Sequence, residues 1–380
     1  MTRIVLGSYM VRYPLGGMMS YVLQWLSGFQ RLGHDIYFVE KAGWENACYD
    51  PSRGVMGNDC RFGVATTRSL LSRYGLHDRF CFVDAWGDYH GLSRVEIERV
   101  FATADVFIDM GTHGAWLPEA ARTGIRVLID GEPAFTQIKM EKARSRSIPL
   151  TRYDRYFSCG ANIGTAESSA PNGGVAWDHI YSPVIVDEFS YQDPPCNAAF
   201  TTVMNWQAHE PIEFHEVTYG QKDVEFEKFI TLPTRTSATL EVALSGHAPR
   251  ERLIVNGWRI RRGHSVTRSY NSFQEYIRGS LGEFSVCKNI FVAMHTGWFS
   301  DRSAAYLASG RPVVLQDTGF SAHLPCGIGL HAVNNIEEAA AAIDCILSDI
   351  KANAKAACEI AHEYLDTKRL LPRLLDQIGL

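Results

Sequence analysis

Short apolar runs alternate with amphipathic stretches along almost the whole chain, and this alternation limits the fold more than any other feature. In the first half, "RIVLG" (3–7), "HDIYFVE" (34–40), "RFCFV" (79–83), "DVFIDM" (105–110), "IRVLID" (125–130) and "RYFSCG" (155–160) read as strands. Between them, "GMMSYVLQWLSGFQRLG" and "SRVEIERVFATA" carry apolar residues at three-to-four spacing, and Gly33 stops the first helix. Strands fed by helices build a parallel sheet covered on its faces.

The second half repeats the pattern. "AAFTTVMNW" (198–206), "RLIVNGW" (252–258), "EFSVCKN" (283–289) and "RPVVLQ" (311–316) read as strands, with "SFQEYIRGSL" and "DRSAAYLASG" as helices. An alanine-rich amphipathic tail and a last helix follow. At 380 residues the chain exceeds one ordinary core, so two domains are expected. The linker is "YSPVIVDEFSYQDPPCN", whose Pro183, Pro194 and Pro195 oppose regular structure. The expected division is 1–190, 191–360, and a C-terminal helix over 361–380 returning to the first domain. Two open α/β sheets facing each other enclose a cleft at the carboxyl ends of their strands.

Composition excludes several partners. A formal charge of −5 and a pI near 6.2 give no general attraction for nucleic acid. There is no run of about 18 apolar residues and no charged-then-apolar leader, so a cytoplasmic protein without a membrane span is expected. The nine cysteines form no C-x-x-C pair and no His/Cys cluster at zinc spacing, and Asp-x-Asp does not occur. No metal and no cofactor are therefore expected at the reaction site. An anion there has to be neutralised by helix ends, His and Lys.

The richest polar stretch is "HTGWFSDRSAAYLASGRPVVLQDTGF" (295–320). A strand runs into a turn containing His295, Gly297 and Trp298, and a helix then starts at Ser300 or Asp301. Its free amides, near Asp301, Arg302 and Ser303, form an expected phosphate site. Asp317, Thr318 and Gly319 make a second turn beside the first, suited to sugar hydroxyls or to bracing the loop. Gly16 and Gly17 give bare backbone between the first strand and helix, and Lys222 can neutralise a diphosphate. His113, between Gly111 and Gly114 past a strand end, has a proton affinity suited to general base work. Asp130 and Glu132, at another strand end, are alternative acid–base or acceptor-binding groups. Core packing, capping and turn formation are competing roles for each of these residues.

The 295–320 stretch resembles the donor-binding box of nucleotide-sugar-dependent glycosyltransferases of the GT-B fold. "SPVIVDEFSY" is similar to the interdomain connection of their glycogen-synthase-like branch, and "YPLGGMMSYVLQWLSGFQRLGHDIYFV" resembles that branch's first loop, helix and second strand. The resemblance implies two Rossmann-like domains with parallel sheets facing across a cleft. It also implies that His295 and Ser300 contact the donor diphosphate. The carboxylate that usually holds the ribose is replaced by Ala305 or Ser303. The implied activity is metal-independent, hexosyltransferase-like transfer from a nucleotide diphosphate sugar, as substrate, to a small-molecule, lipid or saccharide acceptor. A sugar-nucleotide epimerase or a nucleotide-binding module without turnover are the alternatives. Acceptor, stereochemistry and oligomeric state are not specified by these residues.

Overall fold

A computed structural model describes residues 1–193, 197–208 and 210–380; Pro194 and Pro195 lie outside the described residues. The first half contributes β1 (Arg3–Gly7), β2 (Asp35–Lys41), β3 (Cys48–Asp50), β4 (Val55–Gly57), β5 (Phe80–Val83), β6 (Tyr89–Gly91), β7 (Val106–Asp109), β8 (Ile125–Asp130), β9 (Arg155–Ser158) and β10 (Asp178–His179). β3 and β4 pair as a separate hairpin. The others form one sheet in the order β10-β9-β8-β7-β1-β2-β5-β6, parallel except where β6 turns back on β5.

The second half contributes β11 (Phe200–Asn205), the hairpin β12 (Ile212–Phe214) and β13 (Val217–Tyr219), then β14 (Leu240–Ser245), β15 (Arg259–Arg262), β16 (Gly282–Ser285), β17 (Val313–Gln316) and β18 (Leu330–Val333). Its main sheet is parallel throughout, ordered β15-β14-β11-β16-β17-β18. Each sheet therefore grows outward, returns to its first strand and grows the other way. The reversals fall between β1 and β7 and between β11 and β16. Loops diverge at such points and leave a crevice.

One expected strand is a helix. "RLIVNGW" falls in helix Arg250–Val255 and the turn after it, while β14 and β15 occupy the sheet instead. Burial explains this: Leu253 and Trp258 are buried, whereas Ile254 and Val255 are 58% and 85% exposed. A strand inside a covered sheet buries both faces. β18, "LHAV", also escaped the sequence pattern, because four residues ending a glycine-rich turn carry little periodicity.

Helix Gly16–Arg31 lies between the halves, and two glycines explain how closely it packs. A Cβ on Gly16 would lie 2.3 Å from the Ser269 carbonyl oxygen, and one on Gly28 would lie 2.7 Å from Leu371 Cδ1. The first contact is with the start of helix Tyr270–Arg278, and the second is with the last helix, Thr367–Ile378. The chain is pinned where it returns: Val184 N–H donates to the Leu365 carbonyl (2.8 Å), and Thr367 N–H donates to Val184 (3.1 Å). A further apolar cluster joins Phe135 and Ile138 of the first half to Ile290, Phe291 and Met294 of the second. Among the described residues, no helix is long and apolar enough to cross a membrane.

Candidate functional site

The rim of the first sheet is built on buried carboxylates. Glu40, near the end of β2, accepts hydrogen bonds from the amides of Met10 (2.8 Å), Val11 (2.7 Å) and Arg12 (2.9 Å) and from Arg12 Nε (3.1 Å). This fixes the loop after β1 and neutralises Arg12. Asp109, ending β7, does the same for the next loop. It accepts from the amides of Gly111 (3.1 Å), Thr112 (2.7 Å) and Gly114 (2.9 Å) and from the Tyr153 hydroxyl (2.7 Å).

His113 stands on that second loop with φ +53°, a left-handed conformation that the Asp109 clamp holds in place. Its imidazole has no hydrogen-bond partner among the described residues, and the residue is exposed. Desolvation by the surrounding protein lowers its proton affinity. The Asp109 charge opposes this, and the Lys139 and Arg12 cations add to it. A neutral imidazole at neutral pH is a proton acceptor.

The other candidates from this sheet behave differently. Asp130 is buried and fully occupied, accepting from Glu132 N (3.0 Å), Thr136 Oγ1 (2.6 Å), Gln137 Nε2 (2.9 Å) and Ser158 Oγ (3.0 Å). It braces the β8 and β9 loops and is withdrawn as an acid–base candidate. Glu132 is no helix cap, since that position is Ala134. Its carboxylate crosses to Lys288 of the second half.

The second rim leaves a positive charge open. Lys222, at the start of helix Lys222–Phe226, is half-buried, and its ammonium has no hydrogen-bond or ion-pair partner among the described residues. Burial first, then the nearby Arg302 cation, lowers its pKa to about 7, with Lys288 adding to the effect against Cys287 and Glu283. Next to it, Gln221 is buried with neither its amide nitrogen nor its amide oxygen hydrogen-bonded among the described residues. Buried polar groups normally find partners, so this pair has capacity left for a ligand.

Asp301 connects the two rims electrostatically. Burial raises its pKa against the pull of Arg302, its own helix amides and Lys222. It contributes to the raised pKa of Tyr9 in the first half, which burial and then Glu132 push up to about 12, and to that of half-buried Tyr21.

The 295–320 stretch divides on inspection. Helix Asp301–Ala308 starts without a side-chain cap: Ser300 is its N-cap residue, yet its hydroxyl makes no capping bond. His295 is exposed, with φ +50°. Ser300 itself is buried. Arg302 does not belong to the ligand site. Its guanidinium turns into the sheet and binds Glu283 (2.6 Å), the Val203 carbonyl (2.7 Å) and Ser285 (2.7 Å). Ser303 is fully buried and likewise withdrawn.

The rest of the stretch docks the two halves. Gly297 has φ +72°, and a Cβ there would lie 2.8 Å from Asn162 N and 2.9 Å from Ala161 N. Its bare backbone serves a protein contact: Ala161 N–H donates to Gly297 (3.2 Å) and Asn162 N–H to Thr296 (3.0 Å). Trp298 packs against Phe291, with centroids 4.9 Å apart and the rings tilted by 42°. Thr318 donates to the Trp298 carbonyl (2.6 Å), and Asp317 accepts from Gly319 N (2.8 Å) and the Ser321 hydroxyl (2.6 Å). A Cβ on Gly319 would meet Asn162 Nδ2 at 2.5 Å. Gly16 is likewise explained by helix packing, and Gly17 faces the Phe273 ring at ordinary contact distance. Glu225, in the helix that Lys222 starts, is buried and holds Lys228, Asn289 and Gln316.

Sequence reasoning missed Tyr9, Arg12, Glu40, Asp109, Gln221 and Lys288. Asp109 had a readable signal, a carboxylate closing a strand just before two glycines. The others become recognisable only once the loops are folded.

By sequence, the chain matches no protein-family model and no curated protein. By structure it is similar to HepE of Anabaena solved with UDP and glucose, at TM-score 0.56 and 11% identity over 100% of both chains. An α-glucosyltransferase in complex with UDP and a mismatched 13-mer DNA gives TM-score 0.59 at 10% identity, also over 100% of both chains. A glycosyltransferase from Rickettsia africae gives 0.55 at 12%, covering 99% of this chain and 97% of that one. This chain has the GT-B fold. His113 follows β7, beside the reversal in the first sheet, and Lys222 lies in the second half between β13 and β14.

Proposed function

We propose that the protein is a glycosyltransferase that uses a nucleoside diphosphate sugar and an acceptor hydroxyl. The observation that carries this reading is the unpaired, desolvated ammonium of Lys222, beside the unsatisfied amide of Gln221 and across the cleft from a free, neutral imidazole.

The chemistry follows from those charges. Transfer forms a bond from the acceptor oxygen to the anomeric carbon and breaks the bond from that carbon to the diphosphate oxygen. The departing diphosphate takes the bonding electrons, and fixed positive charge near it lowers the barrier. Lys222 supplies that charge, and the uncapped amides of helix Asp301–Ala308 add partial positive charge. His113 takes the acceptor proton. The UDP and UDP-glucose present in the similar structures support a uridine donor, and no step above uses a metal. The second domain, 191–360, is the donor side and the first, 1–190, the acceptor side. The α-glucosyltransferase was solved with DNA, whereas the net charge of −5 here favours a small-molecule, lipid or saccharide acceptor.

The test is a panel of uridine, thymidine and guanosine diphosphates and their sugars, scored for thermal protection and then for turnover. Protection by one diphosphate, with acceptor-dependent loss of its sugar donor, is the expected result. Donor conversion without an acceptor means an epimerase, protection without turnover means a binding module, and no protection ends the reading.

A further inference from the structure

Beside the β3–β4 hairpin, three ligand-type side chains from separate elements converge. Cys60 stands just before helix Arg61–Ser72, Asp84 follows β5, and His90 lies in β6. His90 Nε2 is 2.9 Å from Asp84 Oδ2 and 3.6 Å from Cys60 Sγ, and all three ligand atoms lie within 4.8 Å of one another. Among the described residues, no other group of three or more His, Cys, Asp or Glu meets so closely.

A neutral imidazole offers either one hydrogen or one lone pair at Nε2, so it cannot donate to the carboxylate and accept from the thiol together. A cation at the shared focus satisfies all three. The dimensions fit. Around tetrahedral zinc, bonds of about 2.3 Å to sulfur and about 2.0–2.1 Å to nitrogen hold those two atoms about 3.6 Å apart. Cys60 and His90 already have that separation. Asp84 and His90, now hydrogen-bonded, have to part by about half an ångström.

The surroundings suit a metal as well. Asp84 Oδ1 is oriented by the amides of Trp86 (2.9 Å) and Asp88 (3.0 Å), an outer shell of the kind that aims ligating carboxylates. Cys60 and Asp84 are buried while His90 is partly exposed, which leaves an entry path. A thiolate, a carboxylate and a neutral imidazole also balance a divalent ion to zero net charge.

We propose that Cys60, Asp84 and His90 bind one zinc-type divalent cation, with three protein ligands and one open position. The ion clips helix Arg61–Ser72 to the β5–β6 edge. That helix lies against the loop after β1, since a Cβ on Gly63 would sit 2.0 Å from the Val11 carbonyl oxygen. The metal therefore braces the wall that carries Arg12 and takes no part in the transfer chemistry.

The test uses the full chain, stripped with a chelator and titrated with cobalt(II), then with zinc(II) against a chromophoric chelator. One equivalent of cobalt with a thiolate-to-cobalt absorption band is expected. The band is lost in Cys60→Ser and kept in Cys345→Ser, whose thiol is exposed elsewhere. His90→Gln, at a partly exposed position, is expected to fold and to bind zinc at least about 10-fold more weakly. If Cys60→Ser does not fold, His90→Gln alone decides. No thiolate band, a band surviving in Cys60→Ser, or unchanged affinity in His90→Gln overturns the proposal.

Discussion

The rims of the two sheets are built from similar residues and left in different electrostatic states. On the first, Glu40 neutralises Arg12 and Asp109 is used up in fixing a loop, so what remains free is an uncharged imidazole, His113. On the second, Arg302 is neutralised by Glu283 and Lys288 by Glu132, but Lys222 is left unpaired. A buried cation without a partner costs stability. Holding one while its neighbours are all paired supports the proposed anion site on that rim, and the unpaired imidazole of His113 supports the proposed proton acceptor on the other.

The strongest challenge to this contrast is His113→Asn. Turnover is expected to fall by about 100-fold to about 10,000-fold, the range for a lost general base, with nucleoside diphosphate affinity unchanged. Initial-rate kinetics beside calorimetry separate the two, and an unchanged rate removes His113 from the chemistry. Lys222→Met is next. It is expected to weaken diphosphate binding by about 10-fold to about 100-fold, as for a lost charge-assisted hydrogen bond, while raising thermal stability at pH 6 because an unpaired ammonium is gone. The sign follows from linkage. A lysine whose folded pKa is depressed from 10.5 to about 7 binds fewer protons than in the unfolded chain, so its burden is full below pH 7 and fades as pH rises toward 10.5.

Arg302→Met sharpens the distinction between paired and unpaired cations. It leaves Glu283 buried and alone and is expected to cost about 3–5 kcal/mol of stability by denaturant titration. Diphosphate affinity of the folded fraction stays as it was; a selective loss of affinity instead returns Arg302 to the ligand site. Glu132→Gln, the smallest, releases Lys288 into the cleft and is expected to tighten diphosphate binding about 2-fold to about 5-fold. No change in affinity shows Lys288 out of reach of the ligand.

Much of this was legible beforehand, for reasons that differ between residues. Buried parallel strands leave unbroken apolar runs, so β1, β2, β5, β7, β8, β11 and β17 stood out, and two open sheets with a linker near residue 190 followed. The 252–258 run misled because its apolar residues are not buried together: Leu253 and Trp258 are buried, while Ile254 and Val255 face solvent. His113, Lys222 and His295 stood out in the sequence because polar groups at strand or helix ends often have little structural purpose, and their part in a ligand site is what we propose. Arg302, Ser303 and Asp130 were not, because sequence does not tell a side chain turned toward a ligand from one turned into the sheet. Gly297 and Gly319 illustrate the same limit: close backbone approach was foreseen, but the approaching group is Asn162. Cys60, Asp84 and His90 are 24 and 6 positions apart in the chain, so no zinc spacing exists to be found.

The most direct measurement is the affinity of a nucleoside diphosphate as a function of pH, in the native chain and in Lys222→Met. A terminal phosphate, with a second pKa of about 6, has completed most of its own ionisation by about pH 7, so changes at higher pH report the protein. The account predicts that native affinity weakens by up to about tenfold per pH unit once pH rises above about 7, and that Lys222→Met is flat over the same interval. Equal, pH-independent affinities in the two proteins would contradict it.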